Sequence, residues 1–542
     1  MNCQAFTEKD NFMSLVYKIK SKNYKKIFFL VFLFIFSILF NQHYANLGIY
    51  PIDSFAIFNS GYDVLNGHYP FRDYWTATGP LLDIIQALFF KLFGISWNSY
   101  VIHASFFNFI IAISTFYVLH EFKLNINYCF FYALLVSILA YPTAGTPFVD
   151  HHSTILSMVS IFSFILALKT KNNIYWFSLP IILGMAFLSK QVPAAYITLI
   201  IIFLTIINFS FNFNIKNLIS IISGALVFLI FIIFLMIINK VSPTSFVEQY
   251  ILHPLSFGNN RIELLFPLEF KRVILRFKLI HLSLLLLIVL CYRKILEDYK
   301  YIIKNEFLII ISLIISSFAL IAYQLMTINA KFIFFIIPIL IGFSHIYYNK
   351  YFIRKKYILY LLVTLSISST FWYQLSYNET RKFMDLDKVD IKNAVDAKIL
   401  NENFNGLKWI TRVHPKEPGK EIFKLKKAIK ILEDDQDKKI IVTDYQFISV
   451  FLSSYDYSPS KFWHRGVSYP QKGDKYFKNF RDLFIKILKD NKIKSVYVVK
   501  PLYMDDQNGD VLTPNLDNEC TKKSTLTDIL DKYLILDCND LN

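Results

Sequence analysis

The sequence predicts an all-α polytopic membrane bundle of about eleven spans followed by a small α/β soluble domain. Three observations predict it. Of the 542 residues 55% are hydrophobic and 18% aromatic, and the mean hydropathy is +0.41; a chain this long and this apolar needs hydrocarbon as well as an interior to bury it. Apolar runs of about 15 to 21 residues recur as far as residue 373. From residue 374 those runs stop, charge rises and short β-type runs appear. The expected division is therefore a membrane part, 1–373, and a water-soluble part, 374–542.

The first run starts at Ile27, after Lys18, Lys20, Lys22, Lys25 and Lys26. It continues to Asn41 and His43 without a small-residue cleavage site, which reads as an uncleaved first span with its N-terminus in the cytoplasm. A long outside loop follows. It closes with an amphipathic segment from Pro80 to Gly94, whose Asp83, Gln86 and Lys91 form a polar stripe on an otherwise apolar surface; such a segment lies in the interface. Further spans are expected at roughly 99–119, 127–145, 153–168, 174–189, 193–209, 218–238, 279–292, 307–326, 332–348 and 357–373. Lys190-Gln191-Val192-Pro193 breaks what would otherwise be one run too long for a single crossing.

Basic residues cluster in alternate connections: Lys169 with Lys171, then Arg293, Lys294, Lys300 and Lys304, then Lys350, Arg354, Lys355 and Lys356. These mark the cytoplasmic side, so an odd number of crossings places the C-terminal domain outside. The formal charge is +17, and residues before 374 hold 28 Lys and Arg against 14 Asp and Glu. Cations distributed among apolar spans are topology signals and contacts for anionic membrane lipid, which makes nucleic acid a poor partner.

In the C-terminal part, Lys439-Ile440-Ile441-Val442-Thr443 and Val496-Tyr497-Val498-Val499 read as strands separated by an amphipathic helix near 477–491. The five cysteines include no CxxC pair. Cys129 and Cys291 sit in apolar runs as packing residues. Cys520 and Cys538 flank a short helix-like stretch; in an oxidising compartment they can pair, closing a loop of about 18 residues for roughly 3 kcal/mol. Two unpaired thiols are the other reading.

Chemistry concentrates in the outside connections. Asp53 falls just past the first span, at the boundary where a carboxylate meets both an amphiphilic donor and a polar acceptor. The run Gly67-His68-Tyr69-Pro70-Phe71-Arg72-Asp73-Tyr74-Trp75 adds Arg72 and Asp73, which either serve the reaction or fix the loop as an ion pair; Asp63 is a weaker candidate. Asp150-His151-His152 puts a carboxylate beside two imidazoles, a set able to bind a divalent metal or a diphosphate-type head group, to act as an acid/base pair, or simply to cap a helix. Lys190-Gln191 places a cation at phosphate depth. The loop 239–278, with Glu248, Gln249, Tyr250, His253, Asn259, Asn260, Arg261 and Glu263, can cover a site between lipid and water. No Gly-rich phosphate loop, HExxH or GxSxG occurs.

Asp53, the 67–75 run, Gly79-Pro80-Leu81-Leu82 leading into Phe93-Gly94, and Gly184-Met185-Ala186-Phe187-Leu188-Ser189-Lys190-Gln191 together resemble, in their order, the GT-C superfamily of integral-membrane glycosyltransferases. The likeness covers about the first 210 residues and leans towards the bacterial branch near aminoarabinose, protein mannosyl and rhizobial lipopolysaccharide transferases. It implies a polyprenyl-phosphate-linked sugar as donor and an inverting transfer to a hydroxyl of an envelope glycan, lipid or protein acceptor on the outer face of a bacterial inner membrane. In such enzymes the first-loop Asp activates the acceptor; here that position is Asp53, with Lys190, Arg72 and His152 as candidates to hold the departing phosphate. The family often carries Asp-Glu where this chain has Asp53-Ser54, so any role of a second carboxylate is unfilled or passes to Asp73 or Asp150. Metal use varies in the superfamily, which leaves a divalent cation open. A lipid-linked sugar flippase is the alternative from another class, but the carboxylates cluster on one face rather than inside the spans. An O-antigen polymerase or ligase normally presents its large loop later in the chain.

Overall fold

The computed structural model describes residues 4–542 apart from 267, 328–332, 352–355, 453–455, 465–466, 503–519 and 537–542. Each of the eleven apolar segments coincides with a helix: α1 (Gln4–Ala45), α4 (Trp97–Glu121), α5 (Ile126–Leu139), α6 (Val149–Thr170), α7 (Asn173–Ser189), α8 (Gln191–Asn212), α9 (Ile215–Ile238), and the helices Lys278–Glu297, Asn305–Met326, Ile336–Tyr351 and Lys356–Tyr373. Among the described residues, eight helices are long and apolar enough to cross a membrane. α5 and α7 are shorter apolar helices of 14 and 17 residues, and Ile336–Tyr351 has 16. The outside loop folds as α2 (Pro51–Leu65) and α3 (Pro80–Phe93).

Burial separates the helices into two kinds. α6 is buried along nearly its whole length, packed between α4, α7, α8 and Asn305–Met326. α9 buries only Gly224, against the backbone of Phe177 in α7, and otherwise presents isoleucine, leucine and phenylalanine outward, the face a helix shows to lipid. Between α7 and α8 the helix breaks at Lys190, and Val192 before Pro193 has extended rather than helical backbone, as sterics ahead of proline require.

The C-terminal part carries a four-stranded sheet in the order Lys439–Thr443, Ser495–Val499, Leu530–Ile535, Thr521–Thr525; the first pair is parallel and the other two antiparallel. Phe477–Asp490 is the crossover helix between the parallel strands, its Phe480, Phe484, Ile487 and Leu488 packed on Ile440, Val442, Val496 and Val498. Pro418–Asp434 covers the opposite face with Ile422, Leu425, Ala428 and Leu432. The stretch after Cys520, expected to be helix-like, is instead the antiparallel hairpin Thr521–Thr525 with Leu530–Ile535. Leu530 and Tyr533 are buried there, and threonine and lysine suit the exposed edge strand. Cys520 is disulfide-bonded; its expected partner, Cys538, lies outside the described residues. Asp456 is buried, neither carboxyl oxygen has a hydrogen-bond partner among the described residues, and burial raises its pKa to about 8, opposed by the Lys439 ammonium.

The two parts share a core. Phe55 and Phe58 of α2 and Trp97 and Tyr100 of α4 join Phe404, Trp409 and Phe447 in one cluster, with Phe55 and Phe447 ring centroids 4.8 Å apart. Such aromatic contacts add to the area that they bury. Backbone pairing stitches the same joint: Trp75 N–H donates to Pro459 O at 2.8 Å, Lys461 N–H to Trp75 O at 3.0 Å, and Lys408 N–H to Asn46 O at 2.8 Å. Arg381, fully buried, donates to the carbonyls of Leu47, Pro142, Thr143 and Ala144 at 2.9 to 3.3 Å. Its fork of donors suits the planar guanidinium and a lysine could not replace it.

Candidate functional site

Two helices begin at one cavity. Pro51 is pre-set for the first helical position of α2, and Asp53 stands in that helix's first turn; Asp150 stands in the first turn of α6. The cavity has a volume of about 290 Å³, and Asp53, Asp150 and Lys190 all line it. It is closed by Thr76, Ala77 and Thr78 of the first outside loop, by Arg261 of the 239–278 loop, and by Lys461 and His464 of the C-terminal part. The sequence-predicted Asp53, Asp150 and Lys190 are thus brought together from positions up to 137 residues apart.

Asp150 accepts from Lys190 Nζ at 2.8 and 2.9 Å and from the Tyr323 hydroxyl. Its side chain is 4% exposed and that of Lys190 19%, so the carboxylate is enclosed while the ammonium keeps a face on the cavity. Asp53 is half-buried. Gln191 does not reach the cavity space. Its amide donates to Ala77 O at 2.7 Å and Tyr250 O at 2.6 Å, bracing the cavity-lining loop against the 239–278 loop.

Arg72 and Asp73 lie away from the cavity. They pair at 2.6 Å, Asp73 also accepts Tyr69 N–H at 2.6 Å, and Arg72 donates to Asn239 O at 2.8 Å, which pins the first loop to the end of α9. Asp63 accepts from Asn59 at 3.1 Å on α2. Asp150, His151 and His152 do not converge, contrary to a shared metal or acid/base site. Successive helical residues diverge by about 100°, and the two imidazoles turn into the bundle. His152 hydrogen-bonds Tyr141 through Nδ1 and His103 through Nε2 at 2.9 Å, and His103 Nδ1 reaches Gln86 Oε1, also at 2.9 Å. The Gln86 carbonyl only accepts, so His103 carries its proton on Nδ1, His152 donates from Nε2, and Tyr141 donates to His152. His151 packs between Tyr141, Phe148 and Phe383. Among the described residues no group of three or more His, Cys, Asp or Glu is arranged to hold a metal ion.

The sequence reading missed the contribution of the C-terminal part. Lys461 is fully buried, 2.5 Å from Asp83 Oδ1 and 3.1 Å from the carbonyls of Thr78 and Gly79. Ser60 and Tyr74 donate to the same Asp83 carboxylate at 2.7 and 2.8 Å. Burial pushes the Lys461 pKa down, while the Asp83 charge opposes it. Gly79 makes this approach possible: its φ is +71°, and a Cβ there would lie 2.5 Å from Val149 and 3.1 Å from Lys461 Nζ. His464 is held below its ordinary pKa, first by burial and then by the Arg261 guanidinium, so it is a neutral imidazole at pH 7. The signal that could have found these residues is the run Lys461-Phe462-Trp463-His464, a lysine, two aromatics and a histidine between two strands.

Chemically, the cavity offers two carboxylates, the ammonium of Lys190, a guanidinium with no acidic partner among the described residues, and a neutral imidazole. A second, apolar groove of about 360 Å³ between α3, α7 and α9 lies behind the same loop; Pro80 and Leu188, which line it, stand two positions from Thr78 and Lys190 of the polar cavity.

No family model and no curated protein matches the chain. Among solved structures it is similar to the oligosaccharyltransferase of Archaeoglobus fulgidus in complex with Zn and sulfate, at 13% identity and a TM-score of 0.42, over 87% of this chain and 68% of that one. Two further forms of that protein are similar to the same degree. The form tethered with an acceptor peptide containing the NVT sequon via a disulfide bond has 11% identity and a TM-score of 0.43, over 88% and 69% of the two chains. The apo form has 12% identity and a TM-score of 0.41, over 88% and 70%.

Proposed function

We propose that the chain is a GT-C-type inverting glycosyltransferase of a bacterial inner membrane, moving a monosaccharide from a polyprenyl-phosphate donor to a hydroxyl of an envelope glycan, lipid or protein acceptor. The observation that carries the reading is the single cavity in which Asp53, the Asp150–Lys190 pair and Arg261 meet. Asp53 takes the proton of the acceptor hydroxyl as its oxygen attacks C1 of the sugar. The bond between C1 and the phosphate oxygen breaks, the configuration at C1 inverts, and polyprenyl phosphate departs with the electron pair. Lys190 and Arg261 neutralise that phosphate, the cation role the sequence had offered to Arg72 and His152 as well. Asp150 orients Lys190 through both of its carboxylate oxygens.

The apolar groove beside Pro80 and Leu188 suits the first isoprene units, with the phosphate turned into the polar cavity. The same reading divides the chain at residue 373 into a transferase bundle with a cytoplasmic N-terminus and a periplasmic domain whose Lys461–His464 segment lines the acceptor side. The mechanism requires no metal, although Asp53 and Asp150 could share one with the donor phosphate.

Membranes supplied with radiolabelled polyprenyl-phosphate sugars test it. Asp53→Asn is expected to lower transfer by about 10²- to 10⁴-fold with folding unchanged. Undiminished transfer removes Asp53 as the base, and sugar-lipid movement across liposomes without transfer would favour a transporter.

A further inference from the structure

At the other end of the bundle lies a second cavity, of about 730 Å³, framed by the last turn of α6, the start of α7, the α8–α9 turn and the segment Asp298–Asn305. α6 connects the two cavities. Asp150 in its first turn lines one and Ala167 near its end lines the other, so at 1.5 Å per residue they stand about 26 Å apart and cannot share a small ligand.

Two buried polar atoms in the wall of this second cavity have no partner among the described residues. The Trp176 indole Nε1 and the Asn208 carbonyl Oδ1 both line it, in side chains 1% and 3% exposed, and neither atom has a hydrogen-bond partner among the described residues. Buried donors and acceptors are almost always satisfied, so a donor and an acceptor left open in the wall of one cavity point to a ligand that meets both. At the rim stand Lys171 and Lys300, neither in salt-bridge contact with an acid among the described residues. Lys304 beside them is already paired with Asp298, at 2.9 Å. Two ammoniums outside, with one N–H and one C=O inside, match a ligand that carries a phosphate at one end and a hydroxyl, both donor and acceptor, at the other.

We infer that this cavity is a binding site for a phosphoglycerol-type anion, with the phosphate between Lys171 and Lys300 and a glycerol hydroxyl between Trp176 and Asn208. The site is separate from the proposed transfer cavity and does not rest on that reading.

Calorimetry on the full chain in a zwitterionic detergent tests it, with three probes: dihexanoyl-phosphatidylglycerol, dihexanoyl-phosphatidylcholine and glycerol 1-phosphate. The phosphatidylglycerol is expected to bind at least about tenfold more tightly than the phosphatidylcholine, whose cationic head the two lysines repel. The double variant Lys171→Gln/Lys300→Gln should lose about tenfold or more of that affinity. Trp176→Phe, which keeps the ring and removes the N–H, should lose about fivefold with an unchanged melting curve. Comparable binding of glycerol 1-phosphate supports the site with a free anion as ligand, and binding of the tailed probe alone supports it with a lipid. Equal binding of the two lipids, or wild-type affinity in both variants, overturns the proposal.

Discussion

Two acid–lysine pairs border the cavity at the starts of α2 and α6, and they are built for different work. Asp83 and Lys461 are both fully buried, and Ser60, Tyr74 and the carbonyls of Thr78 and Gly79 take up their remaining hydrogen-bonding capacity. Asp150 is as enclosed as Asp83, but its partner Lys190 leaves a fifth of its side chain open to the cavity. A pair whose every donor and acceptor is occupied can only hold two surfaces together, and here it joins α3 to the C-terminal part. A pair with one solvated cation can accept a second anion without first being taken apart. The difference teaches that proximity to a cavity does not make a charged residue part of its chemistry; unspent valence does.

Breaking each pair in turn sharpens that contrast. Lys461→Gln leaves Asp83 as an uncompensated buried charge and should cost about 3–5 kcal/mol of stability, read as denaturant or thermal unfolding in detergent. Pairing it with Asp83→Leu should recover most of the loss, because the charge that made it costly is gone. A single variant as stable as the wild type would mean that the joint is held by the aromatic cluster alone. Lys190→Gln, made together with Asp150→Asn so that no enclosed carboxylate is left uncompensated, should instead leave the melting curve within a few degrees of wild type and lower transfer by about 10- to 100-fold, equivalent to roughly 1.4–2.8 kcal/mol on the barrier. An effect on KM alone would make Lys190 a docking cation rather than one that meets the leaving phosphate.

Arg72→Gln tests the third pair, which lies outside the cavity and is about a quarter exposed. Its loss should cost about 1 kcal/mol in stability and change transfer by no more than about threefold. A hundredfold loss of transfer would return Arg72 to the site. The last test concerns a buried carboxyl with no hydrogen-bond partner among the described residues. Asp456, with its pKa raised to about 8 by burial, binds a proton in the folded chain that the unfolded chain releases near pH 4. Its contribution is fully present below about pH 4 and is lost as the pH rises towards 8. Asp456→Asn should therefore flatten that part of the stability profile, raising Tm above the wild type at pH 8 and leaving it unchanged at pH 4. A parallel offset at both values would mean that the carboxyl is not neutral in the fold.

Much of the architecture was legible because bilayers enforce a local signal. A span must be a helix, and a helix that faces lipid must be apolar, so α9 and Asn305–Met326 could be read from hydropathy alone. The break at Lys190–Pro193 followed from backbone sterics, and the two strands from their β-branched and apolar runs, though not their parallel pairing. The hairpin after Cys520 was not legible, since Leu530 to Ile535 alternates too briefly to distinguish a strand from a helical turn. In the site, Asp53, Asp150 and Lys190 could be found because each sits where a span meets water. Arg72 and Asp73 looked alike in sequence to a catalytic pair, and only their contacts with Tyr69 and Asn239 distinguish the two cases. Lys461 pairs with an acid 378 positions earlier, and no local period reports a partner at that separation.

The cavity wall draws on residues from Tyr50 to Ser468. A ribosome that has threaded every apolar segment into the bilayer has therefore still made no working site. Lys461 must yet emerge, cross over and seat itself against α3, and Arg381 must already have tied the ends of α1 and α5 into register. On the proposed reading, a chain not yet extended through Ser468 lacks part of the cavity wall and cannot transfer sugar.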